Sequence, residues 1–271
     1  MTDFDKLRGS IYSTKGGWTV GGGIATHGHS LLDDIFAKCS VFQVMIMNVT
    51  GKLPERRLAD LVEGVFICMS WPDSRIWCNK IGTFTAMTRA SATTAIAAGG
   101  LGGDSTMYGA GTGYAINSFI ESAYQKCVSP NNDSVETFVK ENAYRGGRLY
   151  APGFARPFVK GDERIPAMRR YAKKLGFEVG PYETLANEIE SILSKRDGEG
   201  LNLAGYIMLF LKDQGYSIEE VMGIGAMSVT TGIYASYFEY INRPPEAFLS
   251  LKVEDIDYVG ETMREVPEKP V

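Results

Sequence analysis

The sequence predicts an all-α protein, and three observations carry that prediction. Apolar residues recur at intervals of three and four along most of the chain, which is the spacing of one helix face. Proline and glycine divide the chain into segments of helical length. No segment shows the strict alternation of apolar and polar residues that is typical of a half-buried strand. About ten helices are therefore expected, without an internal repeat.

The first half of the chain begins with a glycine- and threonine-rich stretch up to Gly28, which is expected to form a hairpin or an irregular arm. From Ser30 a helical pattern runs to Gly51, and Pro54 then restarts it as a first-turn proline. The segment 77–98 is rich in Ala and Thr and is predicted to be one helix that packs closely against its neighbours.

The second half of the chain carries two pairs of residues with the spacing of a capping box, Asp133 with Glu136 and Ser217 with Glu220. The segment 203–211 is nearly all apolar, which predicts a buried helix. Further helices are expected over 165–175, around 185–193 and from 217 to about 240, and the acidic tail after 244 is expected to be an extended arm.

Composition excludes several classes of protein. The 271 residues carry a net charge of -4 and no long basic run, so a nucleic-acid partner is not expected. No apolar stretch approaches the roughly 20 residues that span a bilayer, so no membrane partner is expected. The segment 1–9 is charged and lacks the apolar core of a signal peptide. The protein is therefore expected to be cytoplasmic.

Cysteine and histidine are scarce, which limits metal and acid–base chemistry. The four cysteines show no Cys-x-x-Cys spacing, and they are interpreted as buried, reduced thiols that act as small hydrophobes. The two histidines, His27 and His29, lie in one loop without an acidic or thiol neighbour. A metal site is therefore not expected, and only these two residues could serve a mechanism that uses histidine as acid or base.

Two glycine-rich stretches, 99–103 and 109–113, superficially resemble phosphate-binding loops. A dinucleotide-binding fingerprint would need a preceding strand, and a P-loop would need Gly-Lys-Ser/Thr, and neither is visible here. The first stretch is expected to be a joint between helices. These glycines serve either close helix packing or turns, or they allow backbone contacts to a ligand. Both interpretations stay open.

An unusual concentration of residue types lies just before the Ala-rich helix. Trp71 and Trp77 flank a proline turn, at Pro72, that also holds Asp73 and Arg75. Asp73 would lie near a helix N-terminus, where the helix dipole stabilises its charge. An N-cap with a stacking tryptophan explains the segment, and a ligand site explains it as well.

The segment 151–164 brings three cations close together in sequence. Arg156, Lys160 and Arg164 are spaced by glycine and proline, a pattern that suits the binding of phosphate or carboxylate by a rigid loop. A solvated surface loop is the alternative.

The order of several short motifs resembles one family. Ser-Val-Phe at 40–42 and Thr-Gly-Lys-Leu-Pro at 50–54 precede the glycine-rich stretches. Pro-Gly-Phe at 152–154 then leads to Asp-Glu-Arg at 162–164. In this order and spacing the motifs resemble those of citrate synthases and citryl-CoA lyases, and of the carboxy-terminal domain of ATP-citrate lyase. The resemblance covers roughly residues 9–240.

The resemblance implies an all-α fold with a large and a small helical domain, and a homodimer. On this chain the large domain would comprise 1–130 and 205–271, and the small domain 131–204. The family binds an acyl-CoA and makes or breaks a carbon–carbon bond at the α-carbon of the thioester.

The chain departs from the family at its catalytic positions. The histidine that polarises the thioester carbonyl falls on Tyr108, and the second catalytic histidine falls on Arg156. The family's aspartate base falls on Ala204. An earlier histidine that binds substrate falls at or near Pro72, and an arginine of the last long helix falls on Val229. General-base catalysis typically raises the rate of a reaction about 10²–10⁴-fold, and this contribution would be lost with the aspartate. Ordinary citrate synthesis is therefore not expected.

One family residue is retained as Arg164, and Lys160 precedes it in the loop that would border the CoA site. Arg156 could hold a carboxylate or an enolate, and Tyr108 could donate to an oxyanion. Asp73 could act as a displaced base. The predicted site comprises Asp73, Tyr108 and Arg156 as catalytic residues, Arg75, Arg164 and Asn202 as substrate-binding residues, and Lys160, Gly153 and Phe154 as cofactor-binding residues.

The sequence thus predicts a diverged enzyme that acts next to the carbonyl of an acyl-CoA or a related carboxylate. A CoA thioester would be its substrate, and no metal is expected. The alternative is a non-catalytic protein that keeps the dimeric scaffold and binds a ligand or a partner protein.

Overall fold

The protein is almost wholly helical. The computed structural model describes residues 3, 8–9, 12–128, 133–156, 159–226, 228–245, 252–255 and 257–267. The α-helices of this part of the chain are α1 (Val41–Thr50), α2 (Arg56–Met69), α3 (Trp77–Met87), α4 (Ala92–Gly103), α5 (Gly113–Cys127), α6 (Val135–Asn142), α7 (Arg164–Lys174), α8 (Pro181–Asp197), α9 (Leu203–Asp213), α10 (Ile218–Gly225) and α11 (Thr230–Tyr240). Short helical turns lie at Leu31–Ile35, Ala110–Thr112 and Val253–Asp255.

Within the described residues, five short strands form two small antiparallel sheets, although the sequence shows no alternation of apolar and polar residues there. In the first sheet β1 (Gly16–Thr19) pairs with β2 (Gly23–Thr26), which pairs with β3 (His29–Ser30). In the second, β4 (Tyr144–Arg145) pairs with β5 (Arg148–Leu149). Strands of two to four residues are too short to show a period of two. The expected amino-terminal hairpin is confirmed.

The segment predicted as one helix over 77–98 is two helices, α3 and α4. The chain turns at Arg89, which has a positive φ of 62°, and Ser91 caps α4 by accepting a hydrogen bond from the Thr94 N–H. The Arg89 guanidinium donates to the carbonyl oxygens of Ile241 and Arg243, which anchors the turn to the end of α11. Tertiary contacts of this kind leave no local signal in the sequence.

Two other long segments are also divided. The pattern from Ser30 to Gly51 breaks before Ser40, which caps α1 with Gln43 in a capping box. The segment from 217 to 240 contains two helices, α10, which ends at Gly225, and α11, which begins at Thr230. The first break carries a local signal, since Ser40 and Gln43 have the spacing of a capping box.

One of the two predicted capping boxes is confirmed. The Ser217 hydroxyl accepts from the Glu220 N–H, and the Glu220 carboxylate accepts from the Ser217 N–H. The other is wrong, because α6 has Ser134 as its N-cap and no side-chain cap. The first-turn position of Pro54 is also wrong, since Glu55 is the N-cap of α2.

A large core unites helices α1, α2 and α5 to α10. Its largest fully buried side chains include Tyr206, Phe138 and Phe154. The predicted buried helix over 203–211 is confirmed as α9, in which most side chains are buried. Among the cysteines only Cys78 is buried, so the expectation of four buried thiols is wrong.

A second, smaller core lies between α3, α4 and α11. A Cβ atom on Gly99 would lie 2.7 Å from Ile233 Cδ1, and one on Gly103 would lie 2.9 Å from Val229 Cγ2. These glycines belong to the last turns of α4, so the expected joint at 99–103 is wrong and close helix packing explains them. The close packing predicted for the Ala-rich segment is confirmed.

The described helices include none that is both long enough and apolar enough to cross a membrane. In the described part of the carboxy-terminal tail, 257–267 has neither helix nor strand and its side chains are exposed, as expected for an extended arm.

Candidate functional site

Asp162 is the centre of the site. Its side chain is fully buried, and its two oxygens accept from Arg164 Nε at 2.7 Å and Nη2 at 2.5 Å. The same carboxylate accepts from the Leu203 N–H at 3.0 Å, at the first residue of α9. Burial alone would raise the pKa of Asp162, but the hydrogen bonds and charge of Arg164 outweigh it and leave the pKa below its usual value. The carboxylate is therefore held ionised.

Arg156 joins the same group of charges. Its Nη1 lies 2.6 Å from Glu163 Oε2 and 3.6 Å from Asp162 Oδ1. The Arg156 side chain is 14% exposed, whereas the Glu163 side chain is 72% exposed. We call Arg156, Asp162, Glu163 and Arg164 the arginine cluster.

Asn202 holds the loop that carries Arg156. Its Nδ2 donates to the Ala155 carbonyl at 2.7 Å, and its N–H donates to the Gly153 carbonyl at 2.8 Å. Its Oδ1 accepts from the Gly205 N–H, so Asn202 is also the N-cap of α9. Gly153 has a positive φ of 88°, and a Cβ on Gly205 would lie 2.5 Å from the Gly153 carbonyl oxygen. Backbone packing therefore fixes this loop against α9.

Trp71 and the end of α2 border the cluster at Arg164. Arg164 Nη1 donates to the Cys68 carbonyl at 3.1 Å, and its guanidinium carbon lies 5.1 Å from the centre of the Trp71 ring. The guanidinium is thus held by a carboxylate, a carbonyl and an aromatic ring.

Asp73 and Arg75 form an ion pair within the Pro72 turn. The Asp73 carboxylate accepts from the Arg75 N–H at 2.9 Å and from its guanidinium at 2.6 to 3.2 Å. The hydrogen bonds from Arg75 lower the pKa of Asp73 to about 2. The N-cap interpretation is wrong, because α3 begins at Trp77 with Ile76 as its N-cap. In this conformation Asp73 is a weak base.

Asn79 links this turn to the arginine cluster. Its Nδ2 donates to the carbonyls of Trp71, at 3.0 Å, and Asp73, at 2.9 Å. Because Trp71 also contacts Arg164, the structure brings the Pro72 turn beside the cluster.

Tyr108 lies apart from these contacts, on the loop between α4 and α5. Its ring centre lies 5.3 Å from that of Trp77, whose Nε1 donates to the Gly102 carbonyl at 2.6 Å. The Tyr108 side chain is exposed. No hydrogen bond or ring contact joins it to the cluster within the described residues.

The three residues predicted to bind a cofactor have different surroundings. Phe154 is fully buried near Phe119, so only its backbone could contact a cofactor, and Gly153 serves the packing of the loop. Lys160 is exposed, and its Nζ donates to the Asp197 carbonyl at the end of α8. A cation there is favoured by the helix dipole. Their roles toward a cofactor stay predictions.

A basic groove lies between α6 and α8, and no pattern in the sequence predicts it. It has a volume of about 400 Å³ and is lined by Glu136, Val139, Lys140, Ile192, Lys195 and Arg196. Three cations against one carboxylate give it a net charge of +2. Lys140 and Lys195 form no ion pair with any residue that the structure describes. The groove therefore offers positive charge above the apolar side chains of its floor.

The basic groove adjoins the arginine cluster through Lys160. Lys160 contacts Asp197, the neighbour of the groove residue Arg196, and lies three residues before Glu163. Three residues span at most about 11 Å. Lys160 thus links the end of α8, which borders the groove, to the loop that carries the arginine cluster.

Solved structures decide what this fold is. Citryl-CoA lyase from Hydrogenobacter thermophilus superposes with a TM-score of 0.74 over 95% of this chain and 97% of that chain, at 21% identity. ATP citrate lyase from Methanosaeta concilii superposes with a TM-score of 0.72 over 97% of this chain and 45% of that chain, at 18% identity. The chain has the fold of citryl-CoA lyase.

The same citrate-synthase-like fold occurs in citrate synthase from Thermoplasma acidophilum, with a TM-score of 0.62 and 18% identity over 84% of this chain and 59% of that chain. The chain thus spans about half the length of the ATP citrate lyase and citrate synthase structures that it matches. Neither a protein-family model nor a curated protein sequence matches it. The predicted all-α, citrate-synthase-like fold is confirmed.

Within the described part of this citrate-synthase-like chain, no three His, Cys, Asp or Glu side chains are grouped so that they could hold a metal ion. The division into a large and a small domain stays a prediction.

Proposed function

We propose that the chain is a diverged enzyme that binds an acyl-CoA and acts on a bond next to the thioester carbonyl. The observation that carries the proposal is the buried Asp162, which orders Arg164 and lies within 3.6 Å of Arg156. Two guanidinium groups beside one buried carboxylate suit a ligand carboxylate or an enolate, whose negative charge they would stabilise.

Arg156 is the better candidate for direct contact with the ligand. Arg164 already uses Nε, Nη1 and Nη2 in hydrogen bonds to Asp162 and Cys68. Arg156 engages other described residues through Nη1 alone, and its nearer partner there is the exposed carboxylate of Glu163. We assign substrate contact to Arg156, and a supporting role to Arg164 and Asn202.

The basic groove would hold the phosphates of the CoA. Lys140, Lys195 and Arg196 supply the charge, and the Tyr144 ring lies 3.9 Å from the Arg196 guanidinium carbon and orients it. Lys160 lies between this groove and the cluster, where the pantetheine arm would pass. This placement keeps the predicted role of Lys160 in cofactor binding.

Solved structures with the same fold support a CoA ligand. One citrate-synthase-like structure, of ATP citrate lyase from Methanothrix soehngenii, is in complex with citrate and coenzyme A. An aspartate-to-alanine mutant of the Methanosaeta concilii protein is in complex with (3S)-citryl-CoA. These ligands combine a carboxylate with a CoA group, as the cluster and the basic groove together would require.

Catalysis would use Asp73, Tyr108 and Arg156. Asp73 would remove the proton from the α-carbon of the thioester, Tyr108 would donate to the oxyanion, and Arg75 would hold a substrate carboxylate. The Asp73 carboxylate must first exchange its contacts with Arg75, because a base with a pKa of about 2 takes up protons poorly. Ligand binding to Arg75 would release Asp73 for this role.

Replacement of Asp73 with asparagine tests the proposal. We expect wild-type protein in D₂O, with citrate present to occupy Arg75, to exchange the methyl protons of acetyl-CoA, and Asp73→Asn to lower that rate by about 10²–10⁴-fold. Acetyl-CoA affinity should stay within about twofold, since Asn keeps the shape and one acceptor oxygen. Proton NMR of the acetyl group measures the exchange, with Asp60→Asn on α2 as a control.

Unchanged exchange in Asp73→Asn would remove Asp73 from the mechanism. No exchange by the wild-type protein would favour the second candidate function, a non-catalytic protein that binds a ligand or a partner. Two observations favour that candidate: the low pKa of Asp73, and Ala204 at the position of the family's aspartate, in the first turn of α9.

A homodimer is part of the proposal. Helices α3, α4 and α11 enclose the small core and expose large apolar side chains on the outside, among them Phe84, Leu101 and Phe238. A second copy of the chain would cover this face and bury those side chains.

A further inference from the structure

The ion pair between Glu163 and Arg156 is the most exposed part of the arginine cluster. Glu163 Oε2 lies 2.6 Å from Arg156 Nη1 and the Glu163 side chain is 72% exposed, whereas the Asp162 side chain is fully buried. A carboxylate on the solvent side of a half-buried guanidinium stands where a ligand that enters from solvent would place its own carboxylate.

Glu163 does not cap the helix on which it lies. It is the N-cap residue of α7, yet its side chain makes no cap hydrogen bond. The Asp162 carboxylate accepts from the Arg164 N–H instead, at 3.1 Å, and so satisfies a donor at the start of the helix. Besides its own backbone N–H, the Glu163 carboxylate thus pairs only with Arg156 among the described residues.

We propose that Glu163 occupies the carboxylate subsite of Arg156 and is displaced when a ligand carboxylate binds. The inference rests on the proposed function, because it takes the ligand of this site to be an anionic carboxylate. Exchange of one carboxylate for another keeps Arg156 paired and leaves no unpaired charge in a half-buried site. An ion pair with one exposed partner is weak enough to be exchanged.

This exchange selects for ligands that carry a free carboxylate. A neutral ligand would have to compete with Glu163 without replacing its charge, and Arg156 would be left unpaired. A ligand with a carboxylate at the end that reaches the cluster supplies both the charge and the acceptor geometry. Glu163 therefore competes with the ligand for Arg156, and only a ligand that binds Arg156 more favourably than Glu163 does can displace it.

Calorimetric titration with citrate tests the inference. Glu163→Gln should bind citrate about tenfold more tightly than the wild-type protein, because the neutral amide competes poorly for Arg156. Glu55→Gln is a matched control: Glu55 is the N-cap of α2, is 72% exposed and lies 2.6 Å from Arg57 Nε. Its citrate affinity should equal that of the wild-type protein.

A double variant separates the release of Arg156 from a general change in charge. In an Arg156→Gln background, Glu163→Gln should give no gain in citrate affinity, because there is no guanidinium to release. A tenfold gain that persists in this background would overturn the inference and would indicate a long-range electrostatic effect.

The failure of the inference can be told from the failure of the proposed function. Equal citrate affinity in Glu163→Gln and wild-type protein, or no citrate binding by either, would overturn the inference. Binding of acetyl-CoA, which has no free carboxylate on its acyl group, would still support the proposed function in those cases. Loss of both citrate and acetyl-CoA binding would overturn both.

Discussion

Replacement of Asp162 with alanine should lower the free energy of unfolding by about 3–5 kcal/mol. The fully buried carboxylate pairs with Arg164 through two oxygens and accepts from the Leu203 N–H. Its removal leaves a guanidinium that is 16% exposed without its main partner, and a buried N–H without an acceptor. Removal of one partner leaves the other charge buried and unpaired, which lowers the free energy of unfolding strongly. Replacement of the whole pair by apolar residues would cost far less stability.

Urea denaturation followed by circular dichroism measures this loss. Asp60→Asn is the control, because Asp60 pairs with Arg56 at 2.7 Å on the surface of α2. Such an exposed pair is worth about 0.3–0.5 kcal/mol. Equal and small losses in the two variants would mean that Asp162 does not organise the arginine cluster.

Reversal of one charge in the basic groove should weaken CoA binding by about 10- to 100-fold, the range that corresponds to one lost hydrogen bond to a charged group. Lys195→Glu would take the net charge of the groove from +2 to zero and would place a carboxylate beside the phosphates. The same repulsion would act on acetyl-CoA, because both ligands share the nucleotide part.

Calorimetry at low and moderate salt measures the effect, which should shrink as salt screens the exposed charges. Lys174→Glu, at the exposed end of α7, makes the same change in net charge outside the basic groove and should leave the affinity unchanged. An equal loss in both variants would show that only the overall charge matters, and the phosphates would then bind elsewhere.

The fold could be predicted from the sequence because its signals are local and repeated. Apolar spacing along α5, α7 and α9 identifies helices, and the order of motifs from Ser40 to Arg164 identifies their arrangement. The break between α3 and α4 could not be predicted in the same way. Arg89 adopts a positive φ because its guanidinium is anchored to the end of α11, 152 residues away in sequence.

The candidate site could be predicted only in part. Arg156, Arg164 and Asn202 were found from short motifs, and the structure does bring them together. The role of Asp162 was missed, because a carboxylate next to an arginine is common on exposed helix starts and only its burial makes it important. The pairing of Asp73 with Arg75 was likewise not visible, although it decides the pKa of the proposed base.

The basic groove lies beyond any local pattern. Lys140 is on α6, whereas Lys195 and Arg196 are at the end of α8, so only the packing of the two helices places them together. In the sequence each cation looks like a solvated side chain in the last turn of an amphipathic helix. Such turns are rich in lysine and arginine for electrostatic reasons alone.

The most direct test of the account is a calorimetric titration of the wild-type protein with CoA, acetyl-CoA and malonyl-CoA. We predict micromolar affinity for all three, about 8 kcal/mol, with malonyl-CoA the tightest because its free carboxylate can displace Glu163 from Arg156. No binding of any of the three would contradict the account, since the citrate-synthase-like fold would then have been retained without a CoA ligand.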